Sequence, residues 1–231
     1  KYYYNASIAD GYTLRLIREE IESDYKIVLK DALDKIKILK GDIERQKVFA
    51  HTNFVEPMLD YIVNDFEKSR LTFSDSSIGG MVVCDSSDQA KEMFKIFNEK
   101  YALKTEQEEE FLHAAEPRAD YKTKLRHSYK VNTAALILHD IGSPQERKDL
   151  VEDFKEGEID FLFVYNMLLT GFDAKRLKKL YIGRVIKRHN LLQTLTRVNR
   201  TYKNFKYGYV VDFADIRAEF DATNKAYFDE L

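Results

Sequence analysis

The feature that most constrains the fold is an alternation of short apolar runs with helical segments after residue 78. Five runs rich in β-branched and aromatic residues predict short buried strands, at residues 81–84, 134–138, 161–165, 180–182 and 209–213. Segments with helical spacing lie between them, such as residues 89–101, where Ala90, Met93 and Phe97 share one stripe. Strands that alternate with helices predict an α/β fold, a parallel sheet with helices on both faces.

One of these helices carries explicit start and stop signals. Ser143 is placed as an N-cap, Pro144 as the first helical residue and Glu146 as the partner in a capping box. Gly157 marks the end of the same helix. Residues 104–130, in contrast, are polar and weakly periodic, which predicts an insertion between two strands.

Residues 14–70 have apolar side chains three and four apart, a spacing typical of helices, with Gly41 and Pro57 as predicted breaks. We therefore predict three regions. Residues 1–77 form a connector and helical segment, residues 78–216 form the α/β lobe, and residues 217–231 begin a further helical region.

Composition excludes several classes of protein. The single cysteine, Cys84, lies in an apolar run and is expected to be a core residue of a protein in a reducing compartment. No apolar run is long enough for a membrane helix, so we expect a cytoplasmic protein without a membrane partner. The sequence contains no Gly-x-x-x-x-Gly-Lys-Ser/Thr loop, no Gly-x-Gly-x-x-Gly and no Cys/His cluster. We therefore expect no metal site, and neither ATP hydrolysis nor DNA cleavage by this chain alone.

Positive charge is concentrated late in the chain although the net charge is only −2. Residues 174–207, the basic window, contain eleven Lys and Arg and no Asp or Glu. This segregation indicates either a solvated basic face or a surface that attracts polyanions.

The segment at residues 191–202 carries the clearest chemical pattern. On a predicted helix from residue 190 to about 199, Gln193, Arg197 and Arg200 fall within about 60° of one another. Leu195 and Val198 fall on the opposite, core-facing side. Two forked guanidiniums and an amide on one face suit a phosphate, and a solvated face is the alternative.

Two further segments suit nucleotide or phosphate contacts. In Leu168–Ala174, Gly171 permits a tight turn, and Asp173 either caps a following helix or accepts from a sugar hydroxyl. At residues 84–88, after the first predicted strand, Ser86 and Ser87 either hold a phosphate with the next helix's amides or form a simple N-cap.

Taken in order, these segments resemble the C-terminal RecA-like lobe of superfamily 2 helicases, with residues 81–86, 169–173 and 193–200 as motifs IV, V and VI. The amino-acid sequences of motifs V and VI are most similar to those of the R subunit of type I restriction enzymes, in Leu-Leu-Thr-Gly-Phe-Asp-Ala and in Leu-Leu-Gln-Thr-Leu-Thr-Arg-Val-Asn-Arg. Lys175 stands where that family carries a proline. Residues 5–12 also resemble the connector that leaves the family's first lobe.

The resemblance implies a double-stranded DNA translocase driven by ATP. It implies that Arg197 and Arg200 are catalytic arginine fingers, and that Gln193, Gly171 and Asp173 bind nucleotide and couple its state to DNA. Contacts to the DNA backbone would come from Ser86, Ser87 and Thr170.

The same resemblance places ATP and Mg²⁺ mainly on a first motor lobe of the same polypeptide. It makes the modification and specificity subunits partners. The alternatives are the second lobe of another superfamily 2 helicase, acting on RNA or in repair, or a non-catalytic nucleic-acid-binding module.

Overall fold

A computed structural model describes residues 14–21, 23–40, 49–102, 129–168, 172–184 and 194–213. Its strands and helices in chain order are β1 (Arg15–Glu20), α1 (Ser23–Lys40), α2 (Thr52–Phe73), β2 (Gly79–Val83), α3 (Ser87–Lys100), β3 (Ala134–Ile137), α4 (Pro144–Glu156), β4 (Phe161–Val164), β5 (Leu177–Ile182) and β6 (Tyr207–Asp212).

The six strands form one parallel sheet in the order β1-β6-β5-β2-β4-β3. The three central strands β5, β2 and β4 are buried along their whole length. The apolar runs of β2 and β4 predict this burial, whereas β5 also buries two lysines. Met81 in β2 lies in register with Leu162 of β4 on one side and Leu180 of β5 on the other.

Helices cover both faces of this sheet, which confirms the predicted α/β class. On one face, Met58 and Ile62 of α2 and Phe97 of α3 pack with Val82 and Tyr181. On the opposite face, Met81 and Leu180 pack with Phe154 of α4, Leu195 and Val198. Cys84 is fully buried in the first of these cores, as expected, and burial raises the pKa of its thiol.

The capping signals of α4 are confirmed. The Ser143 hydroxyl accepts from the Glu146 N–H at 3.1 Å, and the Glu146 carboxylate accepts from the Ser143 N–H at 2.5 Å. Gly157 ends the helix at φ 107°, a backbone conformation that L side chains rarely adopt.

The prediction of a wholly helical segment from residue 14 to 70 is wrong at its start, because residues 15–20 form β1 at the edge of the sheet. The charges in this strand pair with residues of other strands of the sheet: Arg18 with Asp212 of β6 at 2.9 Å and Glu19 with Lys179 of β5 at 2.7 Å. Because its charged side chains are paired, this edge strand does not need the continuous apolar run by which the other strands were predicted. The division of the chain at residues 77 and 78 stays a prediction.

Pro57 is also not a helix boundary but lies inside α2. Its missing N–H would have bonded the carbonyl of Asn53, an exposed residue whose carbonyl water can satisfy. The seven apolar residues that α2 buries, three and four apart, offset the break.

Several predicted features lie outside the described residues, among them the break at Gly41, the connector at 5–12, the region at 217–231, and the insertion at 104–130 apart from its last two residues. In the described part of the chain, no helix has both the length and the apolar character needed to cross a membrane.

Candidate functional site

Arg197 and Arg200 leave the helix earlier than the sequence predicts. Thr194 and Leu195 are helical, and Arg197 and Val198 then form a turn through N–H bonds to the carbonyls three residues earlier, at 3.1 and 3.3 Å. Leu195 and Val198 are buried as predicted. The prediction of one helical face carrying both arginines is wrong, because Arg200 lies beyond the helix.

Both guanidiniums nevertheless converge on the connection between β4 and β5. Arg197 donates from Nη1 to the carbonyl of Phe172, and Arg200 Nε lies 3.5 Å from Asp173 Oδ1. Phe172 is buried and packs on Phe154 of α4 with ring centroids 6.0 Å apart. This packing fixes the backbone that the two arginines approach, and we call Arg197, Arg200, Phe172 and Asp173 the arginine site.

The charges of the arginine site are only weakly neutralised. The Arg200 side chain is 47% exposed and that of Asp173 is 60% exposed, so water screens their pair. Arg197 is half-buried; burial lowers the pKa of its guanidinium, the charge of Arg200 lowers it further, and Asp173 opposes both. An arginine with a lowered pKa remains charged at neutral pH. Arg197 Nε is buried without a hydrogen-bond partner among the described residues. The arrangement therefore suits an incoming anion.

Asp173 does not cap a helix, so that alternative is wrong. The chain turns at residues 174–177, where the Leu177 N–H bonds the Ala174 carbonyl at 3.1 Å, and enters strand β5 directly. The carboxylate remains open to solvent and available to a hydroxyl donor. Gln193, Gly171 and Thr170 lie outside the described residues.

Ser86 is the N-cap of α3, which confirms the simpler of its two interpretations. Its hydroxyl accepts from the Gln89 N–H at 3.1 Å, and the residue is buried. Ser87 is the first helical residue and is partly exposed. Both serines lie at the carboxyl end of β2, on a different element from the arginine site, and phosphate binding there stays a prediction.

The basic window is not a uniform solvated face, because three of the cations that the structure describes in it are buried: Arg176, Lys178 and Lys179. Arg176 donates to the carbonyls of Phe154 and Ile159 at 2.6 Å each. Sequence reasoning missed these internal roles. The signal was present in Leu-Lys-Lys-Leu, where two lysines interrupt the apolar run of β5.

The sheet order and the helices on both faces define a RecA-like lobe. The ATP-dependent type ISP restriction-modification enzyme LlaBIII, solved bound to DNA, shares this fold with a TM-score of 0.53 at 10% identity. That match covers 92% of this chain and 13% of the LlaBIII chain. Residues 66–215 match the family described as type I restriction enzyme subunit R domain 3, so this chain belongs to that family.

Curated proteins that are similar to this chain are named endonuclease subunits of type I restriction enzymes. A type I restriction enzyme endonuclease subunit of Staphylococcus aureus strain COL is 34% identical over 104 residues, which cover 45% of this chain and 11% of that subunit. A putative type I restriction enzyme endonuclease subunit of Methanocaldococcus jannaschii is 26% identical over 248 residues, covering 95% of this chain and 23% of that subunit. The chain thus spans a quarter or less of the relatives it matches.

Proposed function

We propose that this chain is the second motor lobe of an ATP-dependent double-stranded DNA translocase of a type I restriction-modification system. The observation that carries the proposal is the convergence of Arg197 and Arg200 on Phe172 and Asp173. The family match supports a restriction enzyme rather than an RNA or repair helicase.

The chemistry assigned to the arginine site is stabilisation of the phosphoryl group of ATP during hydrolysis. Negative charge spreads over the phosphoryl oxygens in the transition state, and fixed guanidinium donors stabilise it. Arg200, which is exposed and loosely paired, is free to exchange Asp173 for a phosphate. Arg197 is anchored through Nη1, and its Nε has no hydrogen-bond partner among the described residues, so it adds a second, pre-oriented donor.

We assign the remaining nucleotide contacts as the family resemblance implies. ATP and Mg²⁺ bind mainly on a first motor lobe of the same polypeptide. Gln193, Gly171 and Asp173 contact the nucleotide and couple its state to the grip on DNA.

Contacts to double-stranded DNA come from the carboxyl end of β2 and from Thr170. Since the Ser86 hydroxyl already caps α3, we assign the backbone phosphate to the Ser87 hydroxyl and the free amides of the first turn. The modification and specificity subunits are the protein partners, as in a complete restriction complex.

The test is DNA-stimulated ATP hydrolysis by the full-length subunit that carries this sequence. Arg200→Ala is expected to lower kcat by about 10³-fold or more, the usual magnitude for a finger arginine. The control is Lys95→Ala, which removes an exposed cation of α3 and is expected to leave kcat unchanged.

An unchanged kcat in Arg200→Ala would overturn the proposal. If hydrolysis were unchanged while DNA affinity fell, the non-catalytic binding module would be the better description. Stimulation of hydrolysis by RNA, with none by DNA, would favour the other helicases.

A further inference from the structure

Lys178 holds the backbone that carries Arg200. It lies in β5 with none of its surface exposed, and its Nζ donates to the carbonyls of Arg200 and, at 3.4 Å, of Val198. These carbonyls belong to the segment Arg197–Arg200, which we call the arginine segment. A rigid strand at the centre of the sheet is thereby joined to that segment by one side chain.

The environment of Lys178 indicates that a lysine is buried at this position because it donates to these carbonyls. No carboxylate among the described residues pairs with it, and the ring of Tyr202 lies 6.0 Å away. Burial lowers the pKa of its ammonium to about 7. A buried cation without a counter-charge is costly, so a structural role alone would favour an apolar residue.

The neighbouring Lys179 shows the contrast. It is equally buried but points to the opposite face, where it pairs with Asp65 and Glu19 at 2.7 Å each and donates to Ser69. Its charge is therefore compensated within the fold. The two adjacent lysines thus have different partners, and of the two it is Lys178 that contacts the arginine segment.

Two backbone contacts fix the same segment independently. A Cβ at Gly208 in β6 would lie 2.2 Å from the carbonyl oxygen of Val198 and 2.7 Å from its carbonyl carbon, so only glycine allows this approach. The N–H of Leu14, just before β1, donates to the Asn199 carbonyl at 2.5 Å. Contacts from β5, from β6 and from the residue before β1 therefore fall on three consecutive residues, 198 to 200.

We propose that Lys178 is a positioning residue for ATP hydrolysis. Its ammonium fixes the main chain of the arginine segment and therefore the position of the Cα from which the Arg200 side chain extends. This inference rests on the proposed function of the arginine site. Within the described part of the chain, a screened ion pair with Asp173 is the only contact that directs the Arg200 side chain, so the position of its backbone determines where the guanidinium can reach. A displacement of about 1 Å is enough to cost on the order of 10²-fold in rate.

The test compares Lys178→Met with Lys179→Met in the full-length subunit, with Arg200→Ala measured alongside. Lys178→Met is expected to lower kcat on the order of 10- to 100-fold, with KM for ATP within about twofold, because the loss falls on the transition state. Lys179→Met is expected to lower stability but not kcat per folded molecule.

Equal effects of the two lysine variants on kcat, or none from Lys178→Met, would overturn the positioning role while leaving that of Arg200 intact. If Arg200→Ala itself left hydrolysis unchanged, the proposed function would fail and the positioning role with it.

A glycine pair keeps the test valid if a lysine variant does not fold. Gly208→Ala pushes on the backbone of Val198, whereas the three atoms nearest to a Cβ at Gly80 all belong to the ring of Phe161, the closest at 2.6 Å. Gly208→Ala is expected to reproduce the loss of kcat and Gly80→Ala is not; the reverse pattern would contradict the proposal.

Discussion

Replacing Arg70 by Met tests how the helical layer is joined to the amino-terminal ends of the strands. Arg70 lies in the last turn of α2 and is 2% exposed. It donates to the Ile78 carbonyl at 2.8 Å, to the Lys130 carbonyl at 2.9 Å, and to the carboxylate of Asp160. One guanidinium thus joins α2 to the residues that precede β2, β3 and β4.

The expected loss of stability follows from what Arg70→Met leaves behind. The Ile78 and Lys130 carbonyls each lose a donor, at about 1–3 kcal/mol for a group left unsatisfied. Asp160 loses its cation but keeps the N–H groups of Asn132 at 3.0 Å and Thr133 at 3.3 Å. We therefore expect the free energy of unfolding to fall by about 3–5 kcal/mol, as for other broken buried pairs.

The assay is urea denaturation of the 231-residue chain at neutral pH, followed by circular dichroism. The matched control is Lys130→Met, whose ammonium pairs with Glu67 at 2.9 Å but is half exposed. That change is expected to cost less than about 1 kcal/mol. A loss for Arg70→Met no larger than the control's would refute the assignment of Arg70 as a buried junction.

Two other predictions concern stability. Because burial lowers the pKa of Lys178 from its ordinary 10.5 to about 7, the unfolded chain binds more protons between these values. The native chain should therefore gain stability relative to Lys178→Met as pH rises from 7 to 10 in urea titrations; parallel pH profiles would contradict this. Ser143→Ala removes the N-cap hydroxyl of α4 and should cost about 1 kcal/mol by the same assay, and no change would mean that the cap contributes nothing.

The sheet was largely predictable from sequence because its central strands are buried on both faces. A strand in that position needs a continuous apolar run, and β2 and β4 were found by that signal. β5 was predicted three residues too short, because Lys178 and Lys179 are buried polar residues whose partners lie elsewhere in the chain. β1 was missed for a related reason, since its charges pair across the sheet with Asp212 and Lys179.

Arg197, Arg200 and Asp173 of the arginine site were singled out from the sequence, but their arrangement was not predicted. The order of the segments along the chain pointed to Arg197, Arg200 and Asp173, whereas helical periodicity placed the two arginines on one face. Beyond the end of the helix, the Asn199 carbonyl accepts from the N–H of Leu14, a contact between residues far apart in sequence. The contacts that Gly208 and Lys178 make with the arginine segment could not be predicted from sequence patterns for the same reason.

The most direct test of the arginine site compares the affinity of the full-length subunit for ADP with its affinity for ADP–aluminium fluoride, a mimic of the phosphoryl transition state. If Arg200 stabilises developing charge, Arg200→Ala should weaken binding of the mimic on the order of 10²-fold or more. Binding of ADP alone should change little. Equal losses for both ligands, or none for the mimic, would contradict the assignment of Arg200 as a catalytic finger.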